Sequence, residues 1–152
     1  MALPNIFSEK VASEVIGRIN TLSPEDNPQW GKMNVSQMLA HCNVPYEMVF
    51  ENKNPKPNPI LKFIIQLMAK ETVTGEKPYK RSTATAPAFK IQGDRDFEAE
   101  KSRLINYINK TRELGEAEFD GKESHSFGKL NIDQWNNMFY KHLDHHLGQF
   151  GR

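Results

Sequence analysis

Lys141-His142-Leu143-Asp144-His145-His146-Leu147-Gly148-Gln149-Phe150 ends the last amphipathic segment of the chain and carries three of its five histidines. The segment opens at Asn131, and Gln134 three residues on completes an Asn-x-x-Gln capping box, so the helix is read from Asn131 to about Gln149. On a wheel of about 100° per residue, with Trp135 at zero, Ile132, Met138 and Phe139 fall within roughly 60° on either side. His142 and His146 fall about 20° either side of the same line, so both imidazoles face the core one turn apart. His145 lies some 80° away, at the edge of the stripe, and Asp144 is on the opposite face. The pair is therefore His142 and His146, with His145 flanking it.

Working back along the chain, three further long amphipathic segments appear. Phe7 to Leu22 places Val11, Val15, Ile19 and Leu22 on one face, and Ser23-Pro24 ends it. Asn34 and Gln37 repeat the capping pattern. Val35, Met38, Leu39, Cys42, Tyr46, Val49 and Phe50 follow as one stripe, giving a helix to about Glu51. Asp96 starts the third, with Phe97, Lys101, Leu104, Ile105 and Ile108 in period and Gly115 closing it. Between the second and third, Asn58 caps and Pro59 opens a short apolar helix, Ile60 to Lys70. Glu71 to Asp94 and Glu116 to Leu130 show no sustained period, and a structureless stretch of the first one's length signals a functional or packed excursion. The architecture expected is all-α: one four-helix-bundle domain over residues 1–152, with long crossover connections and one short extra helix.

Bulk properties narrow the function classes. The 152 residues carry 20 basic and 19 acidic side chains, a formal charge of +1, which gives no basic excess for nucleic acid. The longest apolar stretch, Ile60 to Ala69, is about half the ~20 residues of a membrane span, and no leader is read at Met1-Ala2-Leu3-Pro4-Asn5. The single cysteine, Cys42, excludes an internal disulfide, and the cytoplasm is the expected compartment. Cys42 faces the middle of its apolar stripe and is read as core.

Two inward histidines one turn apart are what two ligands of one metal ion require. Burying their nitrogens unpartnered would cost on the order of 1–3 kcal/mol each. A third ligand must come from another helix. His125 lies in a Gly-rich loop, whereas His41 lies inside the second helix at the edge of its stripe. Pro45 has no N–H for the His41 carbonyl, so it either loosens the helix there and turns His41 inward or ends the helix early. Three imidazoles and one open position describe a catalytic zinc site, and imidazole also suits nickel and iron.

Three stretches carry a family resemblance. They are Trp30-Gly31-Lys32-Met33 leading into Gln37-Met38-Leu39-Ala40-His41-Cys42, then Phe127-Gly128-Lys129-Leu130, then Lys141 to Gly151. On these the chain resembles the DinB-like superfamily of metal-binding four-helix bundles, which includes YfiT-type proteins and thiol-dependent transferases. The resemblance implies one metal ligand from the second helix and two from the last, which by position are His41, His142 and His146. Three imidazoles suit a divalent zinc or nickel ion first and iron after them, and His145, Tyr46 and Gln37 are read as flanking residues. The resemblance also implies a low-molecular-weight thiol as partner, although no thiol-binding motif is matched. The cations Lys70, Lys77, Lys80, Arg81 and Lys90 either bring positive charge to the site or belong to a solvated loop. Three functions follow. The first is a metal-dependent hydrolase or thiol S-transferase. The second is a non-catalytic, metal-stabilised bundle. The third is a partner-binding module or homodimer built on the Ile60 to Ala69 helix.

Overall fold

The computed structural model describes residues 3–152. Met1 and Ala2, on which the reading of a leaderless start partly rests, lie outside them. Among the described residues the chain is all-helical: α1 Glu9–Asn20, α2 Val35–Phe50, α3 Pro59–Thr74, α4 Phe97–Leu114, α5 Glu116–Phe119 and α6 Ile132–Gln149. A single 3-10 turn, Pro87–Phe89, interrupts the loop before α4.

The capping residues set the long helices. Asn34 and Asn131 each accept from the N–H three residues on, and Gln37 and Gln134 each accept from the cap's own N–H, so both capping boxes are complete. Ser8, Asn58 and Asp96 cap α1, α3 and α4 in the simpler way. Helix α2 runs through Pro45 to Phe50, which rules out the early ending. Val44, Pro45 and Tyr46 are all buried, so packing holds the helix together where a hydrogen bond is missing.

Helices α1, α2, α4 and α6 form the bundle. α4 and α6 each adjoin both α1 and α2, while α1 does not adjoin α2 and α4 does not adjoin α6. One core links them, from Ile6 and Phe7 through Met38, Leu39, Leu104 and Ile108 to Trp135, Phe139 and Leu147. Its centre is aromatic: Tyr46 stacks on Phe139 at 4.7 Å and on Tyr107 at 5.6 Å, and Phe119 meets Trp135 edge-on at 5.4 Å. α2 and α4 are also joined by polar contacts. Arg103 pairs with Glu47 and, at 2.8 Å, with Glu100, so Glu47 is turned onto α4 rather than into solvent.

The extra helix is not short. α3 has 16 residues, as many as α2, and ends at Thr74 rather than Lys70. The apolar period stops at Ala69, but tertiary partners for the helix's last carbonyls carry it on. Buried Lys141 of α6 donates from Nζ to the Thr72 carbonyl at 2.7 Å and the Gly75 carbonyl at 2.6 Å. Asn137 donates to the Thr74 carbonyl at 3.0 Å. A cation at the C-terminal end of a helix also meets the negative end of its dipole. The irregular stretch predicted from residue 71 therefore begins at Gly75. The second connection holds α5 and an isolated bridge between Glu123 and Lys129. Among the described residues no helix is long and apolar enough to cross a membrane.

Lys141→Met keeps the aliphatic stem and removes two charge-assisted hydrogen bonds, each of the class that contributes about 1.5–3 kcal/mol. Urea unfolding is expected to show a loss of about 2–4 kcal/mol. Amide exchange should rise first over residues 70–75.

Candidate metal centre

α2 and α6 bring three histidines to one place. The ligand-capable atoms of His41, His142 and His146 all lie within 4.8 Å of one another, and among the described residues no fourth histidine, cysteine or carboxylate joins them. The ring centroids are 4.9 Å apart for His41 and His142, 4.4 Å for His41 and His146, and 4.8 Å for His142 and His146. His41 and His146 are buried and His142 is partly exposed. Nitrogens bound tetrahedrally at about 2.1 Å from zinc are roughly 3.4 Å apart, so small ring rotations are enough to close the set on one ion.

The protons on the outer nitrogens can be assigned from their partners. His41 Nδ1 lies 2.8 Å from the Phe89 carbonyl oxygen, which can only accept, so Nδ1 carries the proton and Nε2 a lone pair. His146 Nδ1 lies 2.8 Å from Gln149 Oε1. The amide is oriented by its own Nε2, which donates to the Trp30 carbonyl at 2.8 Å, so His146 also keeps its proton on Nδ1. His142 Nε2 is 3.0 Å from His41 Nε2, and with His41 bare there, His142 donates. Backbone or amide acceptors on the outer nitrogens are what hold metal-ligating imidazoles in one orientation.

Burial sets the charge state. It holds His41 below its ordinary value against the opposing pull of the Phe89 carbonyl. It drives His142 well below, helped by charge on His146 and His41. His146 is lowered to about 3, first by burial and then by His41. All three are neutral at pH 7, the form that binds metal. His145 is lowered by burial and then by the positive charge of Arg81, with Asp144 opposing.

The other predicted residues are placed differently. His145 flanks the group, its ring 4.9 Å from His146, 5.5 Å from Tyr79 and 5.8 Å from Trp30. Gln37 does not flank it: its side chain serves the α2 cap and donates to the Gly93 carbonyl. Tyr46 does not flank it either. Five residues on from His41, it is turned to the aromatic core, where its hydroxyl has no partner among the described residues. His125 sits far along the second loop, bonded to Ser126 and the Asn54 carbonyl. Cys42 is buried with Sγ 3.6 Å from Met38 Sδ, and burial pushes its thiol up, away from thiolate.

Gln149, Phe89 and Trp30 were missed. Gln149 follows His146 by three residues and so shares its face, a signal the sequence does hold. Gly31 beside Trp30 has a φ of +83°, and a Cβ there would lie 2.6 Å from Gln149 Nε2, so glycine is required twice over.

In the metal-free protein, the unfolded chain takes up protons on these histidines below about pH 6.5, where the folded chain does not, so stability falls as pH falls. Each imidazole contributes a slope of about 1.4 kcal/mol per pH unit between its unfolded value and its folded one, for His146 down to about 3. Urea midpoints from pH 8 to 5 should show this slope, and His146→Gln should reduce it by close to one proton.

A family model described as "Protein of unknown function (DUF1569)" matches residues 9–152. No curated protein and no solved structure matches the chain significantly. With nearly its whole length covered, including all three clustered histidines, the chain belongs to the DUF1569 family.

Proposed function

We propose that the chain is a DinB-like bundle that holds one divalent metal ion on His41, His142 and His146 and leaves a coordination position for a small molecule. The observation that carries this reading is the pair of outer-nitrogen contacts. Phe89 and Gln149 take the Nδ1 protons of His41 and His146, which leaves both Nε2 lone pairs on the inside of the cluster. Coordination through Nε2 requires His142 to carry its proton on Nδ1. Zinc and nickel suit three imidazoles best and iron next. Such an ion supplies Lewis-acid chemistry, lowering the pKa of a water or thiol at the remaining position, which serves a hydrolase or a thiol S-transferase.

Elemental analysis after loading should give one ion per chain for the wild type. His41→Ala, His142→Ala and His146→Ala should each lose stoichiometric metal, His145→Ala should keep most of it, and Gln149→Leu should bind about 10–100-fold more weakly. Full occupancy in every variant would sink the site. On the cobalt-loaded protein, a thiolate charge-transfer band with glutathione or bacillithiol selects the transferase. Silence across a thiol panel selects hydrolysis or a structural ion.

A second reading concerns α3, and its occupant is a second copy of this chain. Ile60, Phe63, Leu67 and Met68 are 76%, 67%, 77% and 78% exposed, with Leu61 and Ile64 beside them. Lys62 is turned away from the stripe to Glu123. The stripe's side chains present on the order of 700 Å², close to the ~800 Å² per partner of a standard interface. Light scattering should find a dimer at tens of micromolar, and Leu67→Lys should weaken it at least tenfold. A wild-type monomer throughout that range rejects the reading.

A further inference from the structure

Beside the three histidines lies a cavity of about 220 Å³, walled by Trp30, Tyr79, Arg81, Lys141, Asp144 and His145 among others. His145 is the shared wall, since its ring packs at 4.9 Å on His146 and at 5.5 Å on Tyr79. The charges are unevenly satisfied. Asp144, the carboxylate of this wall, is paired at 2.8 Å with Arg18. Lys141 gives two of its three N–H groups to the carbonyls that end α3. Arg81 has no carboxylate partner among the described residues. Its guanidinium carbon instead lies 4.1 Å from the centre of the Trp30 ring.

We propose that Arg81 anchors the carboxylate or phosphate of a small anionic ligand bound in this cavity beside the histidine cluster. A guanidinium over an aromatic ring is held through its flat face, which leaves the N–H edge free to meet two oxygens at once. The stacking partner is itself fixed: the Trp30 carbonyl accepts from Gln149, whose other amide atom accepts from His146. Anchor and cluster are thus held by one chain of contacts. With Asp144 neutralised and the histidines uncharged, the excess charge of the wall is positive, which selects anions. The volume is below the roughly 300 Å³ at which drug-sized sites begin, so the ligand is of small-metabolite size. The proposal rests on the metal reading for where the ligand's reactive end lies, and on the cavity alone for the anchor.

The test titrates the metal-loaded protein with inorganic phosphate and, separately, with succinate, at fixed ionic strength. Trp30 emission and calorimetry are the two readouts. Saturable binding of either anion is expected, and the arm that saturates names the oxyanion. Arg81→Gln should weaken it at least tenfold, and Arg81→Lys, which keeps charge without the planar fork, should fall between. Saturation by neither anion, or equal affinity in Arg81→Gln, overturns the proposal. Metal content measured on the same samples separates the two readings. Binding that depends on Arg81 in a protein holding no ion refutes the metal centre and leaves the anchor standing. A fully loaded Arg81→Gln variant with unchanged affinity refutes the anchor alone.

Discussion

The contact between His41 on α2 and His142 on α6, Nε2 to Nε2 at 3.0 Å, is the constraint around which the rest of the molecule is arranged. Two imidazoles can approach this closely only if at least one of the facing nitrogens is unprotonated, and a third ring, His146, is packed against both. Burial keeps the rings neutral, but neutrality leaves polar nitrogens that cost about 1–3 kcal/mol each when unpartnered. The Phe89 carbonyl and the Gln149 amide meet that demand at the outer nitrogens of His41 and His146 and leave the inner ones facing each other. This holds while α2 lacks a backbone hydrogen bond at Pro45, one turn beyond His41. Burial of Val44, Pro45 and Tyr46 compensates for that missing bond.

Four polar residues of α6 fasten backbone that lies outside the four bundle helices. Asn136 accepts from the Ile6 N–H and donates to the Pro4 carbonyl, tying down the chain before α1. Asn137 and Lys141 close the end of α3. Gln149 fixes the Trp30 segment. These residues are buried and polar, and a buried polar side chain that meets a backbone carbonyl satisfies two groups together. On the same wheel Gln149 shares the histidines' face, Asn136 lies to one side, and Asn137 and Lys141 lie towards the opposite face, so one helix sets the ligands on one face and the surrounding segments on the others.

The parts of this structure that depend on local rules were legible in the sequence. The capping boxes at Asn34 and Asn131, the Asn58-Pro59 start of α3, and the inward direction of His142 and His146 all follow from spacing along one helix. So does the separation of His145 from the cluster. What failed was set by distant partners. The end of α3 was misplaced because Lys141 and Asn137, more than sixty positions on, supply its last carbonyls with donors. Tyr46 was assigned to the site because it shares a stripe with the core, and a stripe does not say which end of the core a residue faces. Gln37 looked like a neighbour of His41 one turn away, yet its amide was already taken by the helix cap. Phe89 contributes a backbone carbonyl from an irregular loop, and no residue type signals that.

The two braced imidazoles both depend on segments outside the bundle helices. His41 is held by the 3-10 turn at Pro87–Phe89, and His146 through Gln149 is held against Trp30 and Gly31. Both segments are loops, and the loop that holds Phe89 also carries Tyr79 and Arg81 over the same side of the cluster. Trp30 takes part twice, its carbonyl facing the chain that orients His146 and its ring lying under Arg81. A displacement of either loop would therefore alter the orientation of a histidine and the shape of the adjoining cavity in one movement. The connections before α2 and before α4 are in that sense the second half of the histidine site: one supplies the acceptor of His41 directly, and the other fixes the amide that orients His146.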